Sequence, residues 1–144
     1  MEYTVDLSEV PCGCVAGVYS VTSNDQCNPE DPLGAAGVSC TTIDIMQANP
    51  YGFNTAAHPC INGDCDAQSQ CEYNMREQGK EEYGEDAYGP GGSIIDTNEK
   101  FTVKTEFIST ANYIDLWKLR TRIYQGANEI VLEADCRDYL NELN

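Results

Sequence analysis

The sequence predicts an all-β protein built as an antiparallel β-sandwich. Short runs rich in β-branched and aromatic residues recur along the chain, and clusters of Gly, Pro and Asn divide them. Within the runs, apolar and polar residues partly alternate with the two-residue period of a strand that buries one face. Two packed sheets satisfy that pattern, whereas a helical bundle does not.

In chain order, strands are expected at residues 3–7, 15–21, 41–46, 93–96, 101–108, 113–124 and 129–132. The plainest is the run from Phe101, where Phe101, Val103 and Phe107 fall on one face and Thr102, Lys104 and Glu106 on the other. Gln125-Gly126-Ala127-Asn128 lies between two such runs and reads as a hairpin connection. Only residues 137–144 read as helix, a short terminal one with Asp135 as its cap. Residues 62–92 differ in character: polar, rich in Gly, Tyr and acids, and crossed by Cys65 and Cys71. A stretch this long is either a disulfide-pinned functional loop or a solvated, mobile linker.

At 144 residues, one domain covering 1–144 is expected. The 24 acidic and 8 basic residues leave a net charge of −16, which opposes binding to nucleic-acid phosphate or an anionic membrane surface. No apolar run reaches the roughly 18 residues of a membrane span, and the N-terminus MEYTVDLSEV has neither the basic nor the apolar region of a signal peptide. Eight cysteines, at 12, 14, 27, 40, 60, 65, 71 and 136, with a single His, indicate disulfides and therefore an extracellular protein whose signal is absent from this chain. Zinc is the weaker reading, because the cysteine spacings do not repeat the paired pattern of zinc ribbons and only His58 supplies nitrogen. No cofactor is expected. Asn62, Asp64, Asp66, Glu81, Glu82, Glu85 and Asp86 offer hard oxygen ligands for calcium, without EF-hand spacing.

The stretch TIDIMQAN, residues 42–49, resembles the catalytic strand of glycoside hydrolase family 7, the cellobiohydrolases and endoglucanases, which reads Glu-x-Asp-x-x-Glu-Ala-Asn. Other segments resemble the family in the same order: EYTVDLSEVPCG, the apolar run from Val15, Ala57-His58-Pro59-Cys60, and Tyr88-Gly89-Pro90-Gly91 leading into SIIDTNEKFTVKTEF. The resemblance implies a concanavalin A-like jelly roll, here in reduced form, because the segment between Ser23 and Ser39 is far shorter than the family's insertion and the family's last strands have no counterpart. It also implies pairing of Cys27 with Cys40, and of Cys60 with Cys65 or Cys71. It leaves Cys12 unmatched, to pair locally, stay free or bond another chain.

In that strand the two glutamates are replaced, by Thr42 and Gln47, while the central acid stays as Asp44. Retaining glycosidases need two carboxyl groups about 5–5.5 Å apart, one attacking the anomeric carbon and the other protonating the leaving oxygen. A threonine hydroxyl is not ionised near neutral pH, and an amide has no titratable proton to give. Both steps are therefore expected to be disabled, leaving a pseudoenzyme with no catalytic residues. An inverting pair tolerates a wider separation of about 6.5–9.5 Å, so Asp44 with an acid from residues 62–92 is the remaining route to hydrolysis.

Two non-catalytic roles follow. In the first, Asp44, Gln47, Asn49, His58 and Tyr88 line a remnant cleft and bind a β-glucan or other polysaccharide. In the second, the reduced sandwich leaves unpaired strand edges that a copy of itself or another secreted chain covers, giving a structural, assembly-forming subunit.

Overall fold

The computed structural model describes residues 1–11, 13–21, 40–58, 60–61, 64–65, 71–109 and 116–135. Its strands are β1 (Glu2–Val5), β2 (Ala16–Val21), β3 (Thr42–Asn49), β4 (Gly52–His58), β5 (Cys60–Ile61), β6 (Asp64–Cys65), β7 (Cys71–Asn74), β8 (Tyr88–Gly89), β9 (Ile95–Asp96), β10 (Phe101–Ser109), β11 (Leu116–Gln125) and β12 (Asn128–Ala134). A π-helical turn, Met75–Gly79, and the short helix α1, Lys80–Tyr83, follow β7.

Two four-stranded antiparallel sheets form the sandwich, in the orders β1-β10-β11-β12 and β2-β3-β4-β7. Both sheets contribute to one core: Phe101, Val103, Ile123, Ile130 and Leu132 from the first meet Met46, Ala48, Phe53 and Tyr73 from the second. Tyr88 sits between Phe53 and Phe101, edge-on to each ring, with centroids 6.2 and 6.0 Å away. The core rows run straight across the first sheet, for example Tyr3, Val103, Ile123 and Ile130 in successive strands.

The outer face of that sheet carries a lattice of opposite charges rather than apolar groups. Arg122 meets Glu129 at 2.8 Å and Glu106 at 3.3 Å, while Lys118 and Arg120 share Glu133. The hydrogen bonds from Lys118 and Arg120 hold the Glu133 carboxyl below its ordinary range, and that from Arg122 does the same for Glu106.

The expected hairpin is present. Gln125 pairs with Asn128, and Gly126 takes φ 61°, a left-handed conformation suited to glycine. Four expectations need correction. Strand β4 was not expected, because GFNTAAH has little β propensity; pairing on both sides overrides that local preference. Residues 71–92 are not a polar linker, since Cys71, Tyr73, Met75, Ala87 and Tyr88 are buried and a strand and two helical turns occupy the segment. Phe107 is 46% exposed, at the end of β10 where the register with β11 shifts around Trp117. Cys14 is a free, exposed thiol ahead of β2, not a disulfide cysteine, whereas Cys40 and Cys71 are buried and disulfide-bonded. Cys12, Cys27 and Cys136, the side chains of Cys60 and Cys65, and the helix expected at 137–144 lie outside the described residues.

The edge of β12 is covered at Val131. The Tyr83 hydroxyl donates to the carbonyl of Val131 at 2.8 Å and accepts from its amide at 3.2 Å, so one side chain occupies both outward-facing groups. Tyr83→Phe is expected to lower stability by about 1–2 kcal/mol in urea denaturation, through the unsatisfied edge groups. An unchanged midpoint would show that water replaces the hydroxyl without loss.

Candidate functional site

The site is built on the face of the second sheet that turns away from the core. A β-bulge makes it. Asp44 pairs with Ala56 and Gln47 with Asn54, so three steps on β3 oppose two on β4. On the other side Met46 pairs with Val18 and Asp44 with Tyr19, so Ile45 is the extra residue against β2, and the extra residue against β4 falls within the same Ile45-Met46 step. The insertion flips the alternation of β3. Asp44 and Gln47, three residues apart and so on opposite faces of a regular strand, come to the same face. Thr55 fixes the bulge from within, its buried hydroxyl donating to the Asp44 carbonyl at 2.9 Å.

Asp44 is the centre of a polar cluster. Gln47 Nε2 donates to Asp44 Oδ2 at 2.5 Å, and His58 Nε2 lies 3.2 Å from the same oxygen. Thr42 pairs directly with His58 across the strands and is buried. Asp44, Gln47 and His58 are thus brought together as expected, with Thr42 beside them.

Two expected ligand contacts are not on this face. Tyr88 is buried in the core, where its hydroxyl donates to the Asn49 carbonyl at 3.2 Å and burial raises its pKa well above the ordinary tyrosine value. Asn49 lies at the far end of β3, and its side-chain oxygen accepts the Tyr51 amide at 2.8 Å, closing the turn into β4. Its side chain builds the hairpin.

Three residues of the face escaped the sequence reading. Asn54, opposite Gln47, has a buried Oδ1 with no hydrogen-bond partner. Glu72 on β7 pairs with Ala56 and is exposed, so one row reads Tyr19, Asp44, Ala56, Glu72 across four strands. Tyr19 is 53% exposed and stands beside Asp44 as an aromatic surface. The signal was the alternation of Asn54, Ala56 and His58 against Phe53, Thr55 and Ala57, legible only once β4 is a strand.

Among the described residues no group of three or more His, Cys, Asp or Glu side chains is placed to hold a metal. Of the calcium candidates, Glu82 accepts the Tyr73 hydroxyl at 2.6 Å and Glu85 pairs with Lys80 at 2.6 Å. Asn62, Asp66 and the side chain of Asp64 lie outside the described residues.

The model of the Glycosyl hydrolase family 7 matches residues 20–139 of the chain. The chain belongs to this family. Endoglucanase EG-1 of Hypocrea jecorina is 26% identical over 134 residues, which cover 74% of this chain and 28% of the endoglucanase. A probable endo-beta-1,4-glucanase, celB of Aspergillus clavatus, is 25% identical over 173 residues, covering 92% of this chain and 40% of the relative. A solved endoglucanase I complexed with cellobiose shares the fold with a TM-score of 0.71 at 22% identity, over 90% of this chain and 42% of that one. The chain thus spans well under half the length of these relatives.

By the resemblance read from the sequence, Gln47 is expected where the family has its second Glu and Thr42 where it has its first. Gln47→Glu restores an acid within hydrogen-bonding reach of Asp44. Two carboxylates so close cannot both ionise freely, so one apparent pKa is expected above about 5.5 in a carboxyl-carbon NMR titration. Because that pKa is raised over its unfolded value, the variant should be most stable relative to wild type at low pH and lose that advantage as pH rises through the raised value. Two ordinary carboxylate titrations would mean the side chains part.

Proposed function

We propose that this protein is a non-catalytic, extracellular member of the family that binds β-glucan on the face carrying Asp44. The observation that carries this reading is an unsatisfied acceptor beside the Asp44 cluster. Asn54 Oδ1 is buried with no hydrogen-bond partner, and Asn54 stands opposite Gln47, which donates to the Asp44 carboxylate. A polyol supplies the hydroxyl donor such an oxygen lacks, and leaving a buried acceptor unpaired costs about 1–3 kcal/mol. Tyr19 adds a ring on which a sugar face can stack. The endoglucanase structure with cellobiose supports the ligand class by its similarity. The disulfide-bonded Cys40 and Cys71 support an oxidising compartment.

Chemistry supports the absence of turnover. With an amide at 47, nothing at that position donates a proton to a leaving oxygen, and Thr42 supplies no carboxylate to attack. Glu72 is the one acid that the fold adds in the row of Asp44, two strand spacings of about 4.8 Å away.

Wild-type protein is expected to be retained by insoluble β-glucan, to lose most of that retention in Asp44→Ala and Asn54→Ala, and to leave an aryl cellobioside intact. The double variant Thr42→Glu with Gln47→Glu is expected to gain slow hydrolysis. Wild-type hydrolysis that disappears in Glu72→Gln would overturn the reading and identify an inverting pair.

Self-association is the second reading, favoured by β2. This edge strand, AGVYSV, lies in an uncharged stretch from Val10 to Asn24 within a chain of net charge −16, so like-charge repulsion is weakest there. Gly17, Tyr19 and Ser20 are exposed, on both faces of the strand. Long uncharged edges pair with other strands. Light scattering is expected to show a concentration-dependent mass that Tyr19→Lys returns to that of one chain; a constant mass in wild type would exclude it.

A further inference from the structure

We propose a second ligand site, apart from the Asp44 face, that takes a carboxylate-bearing sugar such as a uronic acid. A cavity of about 660 Å³ opens at the turn joining β3 to β4, between the segment from Leu7 to Cys14 and the loop from Pro90 to Asn98. Its volume falls within the usual range for small-ligand sites.

The charge of the lining points to an anion. The chain has 24 acidic residues, yet among the described residues no Asp or Glu lines this cavity, and Arg76 is the one charged group there. Every other described Lys or Arg lies within 4.0 Å of a carboxylate: Lys80 of Glu85, Lys100 of Asp6, Lys104 of Glu106, Lys118 and Arg120 of Glu133, and Arg122 of Glu129. Among the described residues Arg76 alone has no such partner. A smaller hollow of about 220 Å³ on its other side contains Glu85, which Lys80 holds at 2.6 Å. With acids outnumbering bases threefold, an arginine at a cavity whose described lining holds no carboxylate is open to an anion from outside.

Geometry supplies the rest. Gly52 lets the Arg76 stem lie across the turn: a Cβ there would stand 3.3 Å from Arg76 Cδ and 3.5 Å from Cγ. The turn thus holds the arginine at the cavity. Tyr51, 66% exposed, presents a ring in the same lining, with Ser8 and Asn98 as polar neighbours. A planar guanidinium pairs with a carboxylate through two parallel hydrogen bonds, and a phenol ring stacks on a pyranose face. A neutral sugar satisfies only the ring, and an inorganic anion only the charge. An acidic sugar satisfies both.

The free thiol of Cys14 lines this cavity and is a built-in reporter. The full chain is alkylated with N-ethylmaleimide, an uncharged reagent, in the presence of cellobiouronic acid, cellobiose or benzoate, and the adduct is followed by mass. Cellobiouronic acid is expected to slow alkylation and to shift the Tyr51 and Arg76 amide resonances, with an affinity that falls on the order of ten-fold in Arg76→Gln and partly recovers in Arg76→Lys. It should weaken with added salt. Equal protection by cellobiose would overturn the charge requirement, and equal protection by benzoate would overturn the sugar. Protection that survives Arg76→Gln would overturn the site. Asp44→Ala is expected to leave this protection unchanged, so failure of glucan binding on the Asp44 face does not decide the result.

Discussion

One extra residue in β3 sets the geometry on which the site depends. Without Ile45, a regular strand would turn Asp44 and Gln47 to opposite faces, and one of them would enter the core. With it, Met46 and Ala48 pack inward while Asp44 and Gln47 share the outer face and a hydrogen bond. The bulge persists because its disrupted backbone is satisfied: the Asp44 carbonyl, displaced from regular pairing, receives the Thr55 hydroxyl. Thr55 is wholly buried and touches no ligand, yet it determines where the functional side chains point.

The distribution of charge follows from the same separation of faces. Four of the eight basic residues, Lys104, Lys118, Arg120 and Arg122, lie on the outer face of the first sheet, interleaved with Glu106, Glu129 and Glu133. Exposed pairs of this kind contribute little to stability one by one. Their consequence is spatial, since they neutralise one face and leave the acidic excess elsewhere. Against that background strand β2 and the cavity at Arg76, which carry no carboxylate among the described residues, are places where a negatively charged partner or a second copy meets little repulsion.

How much of this was legible in the sequence depended on whether the signal was local. Strands β10, β11 and β12 were visible because their alternation is written in β-branched and aromatic residues, and the hairpin between the last two because Gly126 supplies the left-handed turn. Strand β4 was not, since Gly, Asn and Ala carry no strand preference and the segment is a strand only by pairing with β3 and β7. Without β4 as a strand Asn54 has no assigned face, and residues 62–92, whether functional loop or solvated linker, give no strand to place Glu72 and no core position for Tyr88. Asp44, Gln47 and His58 were found for a different reason, their resemblance to the family pattern, which encodes the bulge without showing it: a spacing of three between cofacial residues contradicts a two-residue period unless one residue is inserted.

The substitution at 47 changes the chemistry of Asp44 as well as its own. An acid at that place exchanges its proton during a reaction, so the hydrogen bond between the two positions must form and break. The Gln47 amide always donates to Asp44 Oδ2, and His58 lies against the same oxygen. Hydrolysis through two displacements needs a group whose protonation alternates, and an amide that only donates does not supply that alternation. Recognition needs the opposite property. A sugar hydroxyl is held best by acceptors that do not move, and Asp44 is held at Oδ2 by two neighbours. An amide at 47 beside Asp44 gives a rigid polar surface, and on that rigidity the proposal of binding without turnover rests.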